Sequence, residues 1–251
     1  MKSISHSGQI RIWLLSTIIM VMLMILIGGV TRLTDSGLSM VEWRPLWGFL
    51  PPISQFEWNR VFELYMKSPE YIFKNKGMSL EEFKEIFFWE YFHRLWGRLI
   101  GIIFIIPLLF FIIVKKIPKS ILSKLFLILF LGGLQGFIGW WMVKSGLVND
   151  PTVSQYRLTI HLSNALLILS LLIWVYLDVK EGVSQIKPDF SFFMFSILFI
   201  TIIAGAFVAG MDAGLMYNEY PFMGDSLIPE NYGEYQLLDP FENPASAQFH
   251  H

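Results

Sequence analysis

Ionisable side chains lie where a membrane span should begin, in the stretch FFWEYFHRLWGRLIG at residues 87–101. Glu90, His93, Gly97 and Gly101 follow one another at spacings of three, four and four residues, so they form one stripe along a helix. The two glycines predict a groove beside the imidazole that a flat ligand or another helix could enter. Because charged groups are costly inside a membrane, an acid one helical turn from a histidine indicates a functional site.

A second apolar stretch repeats this arrangement on another predicted helix. It carries Arg157, His161, Asn164 and Ala165. Both helices are predicted to enter the lipid from the external side, which places both histidines about one to two turns below that surface, at about 1.5 Å per residue. Two imidazoles at one depth beside a glycine groove are what axial ligation of a heme iron requires. The candidates to pair with its propionates are Arg94, Arg98 and Arg157.

Each of these features also has a structural alternative. A membrane histidine can hydrogen-bond to a neighbouring helix, stripes of small residues ordinarily serve helix packing, and arginines can snorkel to the interface. Glu90 could form a salt bridge with Arg94 or act as a second ligand, or it could move protons in a reaction at the edge of a porphyrin. The coincidence of two histidines and a buried acid favours a cofactor or substrate site.

The composition places these motifs in a membrane protein. Of the 251 residues 54% are hydrophobic and only 16% are charged, and the mean hydropathy is +0.54. The net charge of −1 gives no reason to expect a nucleic-acid partner. The absence of cysteine excludes disulfides, thiolate nucleophiles, iron–sulfur clusters and covalent c-type heme attachment. Histidine is therefore the expected ligand of any heme.

Five apolar stretches reach the length of about 20 residues that a transmembrane helix needs. They lie near residues 12–31, 86–114, 122–143, 157–179 and 191–211. Lysine and arginine are absent from residues 145–156 and 211–251, whereas lysines fill the loops on the other side. By the positive-inside rule the N-terminus is cytoplasmic and the loop 32–85 is external. Within that loop, SQFE (Ser54–Glu57) and SLEE (Ser79–Glu82) have capping-box spacing and each predict a helix start.

An internal repeat relates GGVTRLTDSGLSM, from Gly28, to GAFVAGMDAGLMY, from Gly205. The pairs at one constant offset are Gly28/Gly205, Asp35/Asp212, Gly37/Gly214 and Leu38/Leu215. The repeat predicts an all-α membrane protein of two four-helix bundles, 1–188 and 189–251, with about three helices missing from the second. QFHH (Gln248–His251) would begin the sixth span as the counterpart of the Glu90–His93 region. The remnant of a purification tag, or an interfacial histidine pair, is the alternative.

Several motifs together resemble the heme A synthase family, in the branch shared by proteobacteria and mitochondria. They are GGVTRLTDSGLSMVEWRPLWGFLPP, EYFHRLWGRLIG, LGGLQGFIGWWMVKSGL, YRLTIHL and GAFVAGMDAGLMYN. The resemblance implies an eight-helix oxidoreductase that converts the methyl group on carbon 8 of heme O to a formyl group, giving heme A for cytochrome c oxidase. It assigns Glu90, His93 and His161 to the substrate site, with Glu90 catalytic. It assigns His251 to a heme b cofactor, whose other histidine lies outside this chain.

The partners implied by the resemblance are heme O, the lipid bilayer, heme O synthase and the assembly factors of cytochrome c oxidase, and a homo-oligomer stays open. Two other function classes use some of the same features. A b-type cytochrome subunit would need the histidines that bind iron, here His93, His161 and His251, but not Glu90. A transporter would instead have discontinuous helices and ionisable groups at the bilayer midplane.

Overall fold

The structure, a computed structural model, describes residues 4–43, 48–148, 151–182 and 189–251, with the backbone alone for residues 4–7. In these ranges it contains α-helices, short 3₁₀ turns and no β-strand, which confirms the all-α class. The helices, in chain order, are α1 (Ile4–Leu33), α2 (Gln55–Tyr65), α3 (Pro69–Phe73), α4 (Leu80–Ile113), α5 (Lys119–Gly146), α6 (Gln155–Glu181), α7 (Phe190–Gly210), α8 (Asp239–Glu242) and α9 (Pro244–His250).

Five of the described helices are long and apolar enough to cross a membrane, and they coincide with the five predicted spans. They are Gly8–Leu33 of α1, then α4, α5, α6 and α7. Each extends a few residues beyond the predicted apolar stretch except α7, because helices continue into polar flanks that hydropathy alone does not count. The chain therefore has the architecture of a multi-pass membrane protein.

Serine caps begin the helices of the first loop. Ser79 and Glu82 form the predicted capping box, each side chain accepting from the backbone N–H of the other, at 3.3 and 2.7 Å. At α2, Ser54 accepts from the N–H of Glu57, but the Glu57 carboxylate pairs with Arg60 at 3.2 Å instead. Helix α3 was not predicted, because its Ser68 cap is followed by tyrosine rather than an acid at the third helical position.

The described part of the chain divides into two compact units. The first comprises Met1–Thr152 and Asn164–Ser184, and the second comprises Val153–Ser163 and Gln185–His251. In the first unit, residues of α1, α4, α5 and α6 form one apolar core that includes Leu14, Leu108, Leu125, Leu172 and Val175. The predicted bundles 1–188 and 189–251 follow from the sequence repeat and stay a prediction.

Two indole hydrogen bonds set the register of α1 against α4. Trp13 Nε1 donates to the carbonyl of Ile103, and Trp96 Nε1 donates to the carbonyl of Met20, both at 3.0 Å. The two helices are therefore antiparallel, and the C-terminal part of α1 lies beside the N-terminal half of α4. Beyond that end, α2 and α3 pack on α4 through a second cluster of buried aromatic side chains, Tyr65, Phe83 and Phe87.

The second unit contains α7, α8, α9 and the first residues of α6. Gly210 at the end of α7 packs so closely on α6 that a Cβ there would lie 2.7 Å from the Cα of Gln155. Asp239 organises the turn before α9 by accepting hydrogen bonds from the N–H groups of Gly233 and Tyr235. Burial opposes ionisation, yet these bonds and one from Ser246 lower the pKa of Asp239 to about 2.

Candidate functional site

His93 lies on α4 against a glycine of α1. The antiparallel register brings Gly28 to it, and the imidazole Nε2 is 3.4 Å from the position that a Cβ on Gly28 would take. The predicted groove is built differently at Gly97, where the Met24 side chain of α1 fills the space at 3.4 Å. The glycine beside the imidazole is therefore Gly28, which the sequence singles out only as a member of the repeat.

Glu90 is 3% exposed, and one of its carboxylate oxygens accepts two hydrogen bonds. Its Oε2 accepts from the backbone N–H of Met40 at 2.6 Å and from the Ser39 hydroxyl at 2.7 Å. Its other oxygen forms the predicted ion pair with Arg94. The guanidinium of Arg94 also donates to the carbonyl of Met40 at 3.1 Å. The carboxylate and the guanidinium thus hold the loop after α1 to α4.

A pocket of about 300 Å³ opens beside this ion pair in the first unit. Arg94 and Arg98 line it together with apolar residues of the loop, among them Leu50, Pro51 and Val61. The Arg98 guanidinium stacks over the Phe49 ring at 5.4 Å. The carboxylates of Glu42 and Glu57 line the pocket as well, and each is paired with Arg60. The two guanidinium groups beside the apolar residues suit an anionic group on an apolar ligand. That chemistry agrees with the propionate role predicted for these two arginines, which stays a prediction.

The second predicted motif is divided between the two units. Arg157 and His161 belong to the second unit, where both side chains are half-buried on α6. Asn164 belongs to the first unit and donates to the carbonyl of Leu131 at 3.1 Å and to the Gln135 side chain at 2.7 Å. Asn164 therefore serves helix packing, the structural alternative. The pairing of His93 with His161 stays a prediction.

His251 of the second unit lies against Gly205 of α7. Its Nε2 is only 2.6 Å from the position that a Cβ on Gly205 would take, so a side chain there would displace the imidazole. The preceding histidine faces elsewhere, because the His250 Nε2 is 3.2 Å from the Tyr232 hydroxyl. The two adjacent histidines are therefore distinguished by their surroundings, and His251 is the one beside the membrane helix.

Gln248 attaches α9 to the turn after α7. Its Oε1 accepts from the backbone N–H of Tyr217 at 3.1 Å, and its Nε2 donates to the carbonyl of the same residue at 2.8 Å. This glutamine lies within the QFHH motif, but no role was predicted for it. The signal that could have identified it is the spacing of three residues to His251, which equals that of Glu90 to His93.

These surroundings fit a heme better than a bare metal ion. A heme iron needs only one or two side-chain ligands, since the porphyrin supplies the others. Histidine is present beside a glycine in both units, and each imidazole lies against the position that a Cβ on the glycine would take. Among the described residues, no three histidine, aspartate or glutamate side chains come together as a metal cluster.

Comparison with known proteins gives a consistent result. The family model COX15-CtaA, described as a cytochrome oxidase assembly protein, matches residues 11–251. A protein of Nitrosospira multiformis named "Heme A synthase" is 48% identical over 96% of this chain and 71% of its own length. Proteins of the same name from Granulibacter bethesdensis and Pelagibacter ubique are 48% and 45% identical, over 66% and 76% of their own lengths. No solved structure matches the chain.

Proposed function

The chain belongs to the COX15-CtaA family of cytochrome oxidase assembly proteins, and from this premise we propose that it oxidises heme O to heme A. The family that the sequence motifs predicted is confirmed, and the relatives compared above all carry the name heme A synthase. The alternative of a b-type cytochrome subunit has no support among these names. The chain spans 71% and 66% of its first two relatives, so the activity proposed is that of the protein expressed from its complete coding sequence.

The proposed reaction converts the methyl group on carbon 8 of the substrate, heme O, to a formyl group. No side chain oxidises a methyl C–H bond, so iron supplies that chemistry, and the protein binds, orients and handles protons. We assign His93 and His161 as axial ligands of heme O. Arg94, Arg98 and Arg157 are the proposed partners of its propionates. The pocket lined by Arg94 and Arg98 supports this assignment for two of the three.

The observation that carries the proposal is the Glu90 carboxylate, buried one helical turn before His93. A merely ligating site has no need of an acid in this position. Oε2 is occupied by Met40 and Ser39, and Oε1 faces Arg94. We propose that this carboxylate accepts a proton released in the reaction or stabilises positive charge at the reacting methyl. Its ion pair with Arg94 supports a second, structural role in the same residue.

A heme b cofactor is proposed for the second unit, held by His251 and by a histidine from further along the complete protein. The backbone repeat supports two matching sites. Asp35 and Asp212 follow their helices at equivalent positions, and both adopt the left-handed conformation, with φ of 49° and 54°. Their N–H groups bond to equivalent carbonyls, those of Arg32 at 3.2 Å and Ala209 at 3.3 Å.

The proposed location is a bacterial inner membrane, with the N-terminus in the cytoplasm and both histidine–glycine contacts near the external side. The absence of lysine and arginine from residues 145–156 and 211–251 supports this orientation. The proposed partners are heme O synthase, which supplies the substrate, and the assembly factors of cytochrome c oxidase, which use the product.

The function is tested by co-expressing the complete protein with a heme O synthase and measuring extracted hemes by mass spectrometry. We expect heme A from the wild type. Glu90→Ala should lower the ratio of heme A to heme O by at least about 100-fold, the usual scale of a lost acid–base group, while heme b remains. Glu85→Ala is the matched control, because Glu85 is an exposed acid on the same helix. Wild-type heme A yield from Glu90→Ala would overturn the catalytic role, and absence of heme A from the wild type would overturn the function.

A further inference from the structure

In the turn after each glycine-bearing helix, one residue has both its backbone N–H and its backbone C=O hydrogen-bonded to side chains. In the first unit this residue is Met40, and in the second it is Tyr217, twelve positions after Gly28 and Gly205 respectively. Backbone N–H and C=O groups in a packed turn are costly when they stay unpaired. In both units a histidine-bearing helix supplies the partners.

The two units satisfy these groups with different chemistry. Glu90 accepts from the N–H of Met40 at 2.6 Å, while Arg94 donates to its carbonyl at 3.1 Å. Gln248 does both for Tyr217, at 3.1 and 2.8 Å. A carboxylate is only an acceptor and needs a cation to bond the carbonyl, whereas one amide carries both an acceptor and donors. The ion pair of the first unit is thus matched by a neutral amide in the second.

The attachment and the histidine form one structural unit. Gln248 and His251 are three residues apart and therefore share one side of the helical turn. Gln248 also lies 3.4 Å from the carbonyl of Gly214, within the same turn. The imidazole that follows fits only because Gly205 has no side chain. A shift of α9 relative to the turn would move this imidazole directly.

We propose that Gln248 is a positioning residue for heme b: by fixing α9 to the backbone of Tyr217, its amide sets where the His251 imidazole is held. This inference rests on the proposed function, because it takes His251 as an axial ligand. It adds a chemical distinction between the halves. The first unit uses a carboxylate, a group that can accept a proton, and the second unit uses an amide, which cannot.

Gln248→Glu tests the proposal with almost no change in shape. The variant keeps an acceptor for the Tyr217 N–H but replaces the amide nitrogen by an oxygen facing the Tyr217 carbonyl. Loss of one such hydrogen bond costs about 1.4 kcal/mol. We therefore expect heme b to transfer to excess apomyoglobin roughly tenfold faster. The low-spin electron paramagnetic resonance g-values and the midpoint potential of heme b should shift as well. Gln236→Glu is the matched control, since Gln236 is exposed in the same unit and the charge change is identical.

The outcomes distinguish a failure of the positioning role of Gln248 from a failure of the proposed function. His251→Ala should remove the heme b spectrum, and a retained spectrum would overturn the proposed ligand. If His251→Ala removes it and Gln248→Glu has wild-type g-values, potential and transfer rate, the positioning role is wrong. Hydrogen exchange on the wild-type protein is a further test that does not depend on whether a variant folds. The Tyr217 amide should be protected from hydrogen exchange, and exchange at the rate of an open turn would overturn the proposal.

Discussion

At the scale of single residues, Glu90 has the structural role that its place in the sequence suggested as one alternative. It forms the ion pair with Arg94, and it also bonds to the backbone of the loop after α1. In the second unit the amide of Gln248 is sufficient to hold the equivalent turn. The attachment alone therefore does not require a carboxylate, and the role of Glu90 in proton chemistry stays a proposal.

Glu70 is a second buried acid, and it gives the protein a dependence of stability on pH. It lies on α3, in the loop between α1 and α4, where it is 3% exposed and accepts a hydrogen bond from Tyr65 at 2.9 Å. Burial, reinforced by the charge of Glu90, raises the pKa of Glu70 from its ordinary 4.5 to about 7, although the bond from Tyr65 opposes the shift.

The sign of the effect follows from proton binding. Between about pH 4.5 and 7 the folded state holds a proton on Glu70 that the unfolded state has released. The free energy of unfolding should therefore fall as pH rises through this window, by about 3 kcal/mol in total. Thermal unfolding in detergent from pH 4 to 8 measures it. Glu70→Gln should remove this slope, and Glu63→Gln, at an exposed acid of α2, should leave it unchanged. An unchanged slope in Glu70→Gln would contradict the assignment.

At the scale of helices, the sequence predicted where helices form better than it predicted which residues of neighbouring helices are in contact. Hydropathy located all five long helices, and capping-box spacing located the starts of α2 and α4. The partner of each glycine could not be predicted, because it depends on the register between helices. The stripe on α4 suggested Gly97 beside the imidazole, yet the indole bonds of Trp13 and Trp96 set a register that brings Gly28 there.

Glycine contacts between helices give a graded prediction. A Cβ at position 205 would lie 2.6 Å from the imidazole of His251, whereas one at position 28 would lie 3.4 Å from that of His93. Gly205→Ala should therefore abolish the heme b signal in reduced-minus-oxidised spectra, because the imidazole must move. Gly28→Ala should be milder, since a small shift of His93 relieves the contact.

Gly29→Ala is the control for these two changes. It lies in α1, and a Cβ added there would meet no atom within 4 Å, so the variant should keep both hemes and gain about 0.5–1 kcal/mol from helix propensity. Equal loss of heme in all three variants would show that the helices tolerate no added methyl group. That result would contradict the inference that heme b is lost because a side chain at position 205 displaces the His251 imidazole.

At the scale of the whole molecule, each unit repeats a helix end, a left-handed aspartate, an attached turn and a histidine against a glycine. The sequence repeat predicted the aspartates and glycines. It also predicted that QFHH (Gln248–His251) corresponds to the Glu90–His93 region. It did not predict that Glu90 and Gln248 bond to the backbone of equivalent residues, Met40 and Tyr217, because that contact depends on how the turns pack. The pairing of His93 with His161 stays a prediction.

The orientation in the membrane is predicted from the distribution of lysine and arginine and can be tested directly. Both attached turns are predicted to be external, because residues 211–251 contain no lysine or arginine, whereas the loop that includes Lys119 is rich in lysine. The chain has no cysteine, so a single introduced thiol reports one position. Asp225→Cys, at an exposed site, should react with a membrane-impermeant maleimide in intact spheroplasts. Lys119→Cys, also exposed, should react only after lysis. The opposite labelling pattern would place the N-terminus outside and move both histidine sites to the cytoplasmic half of the bilayer.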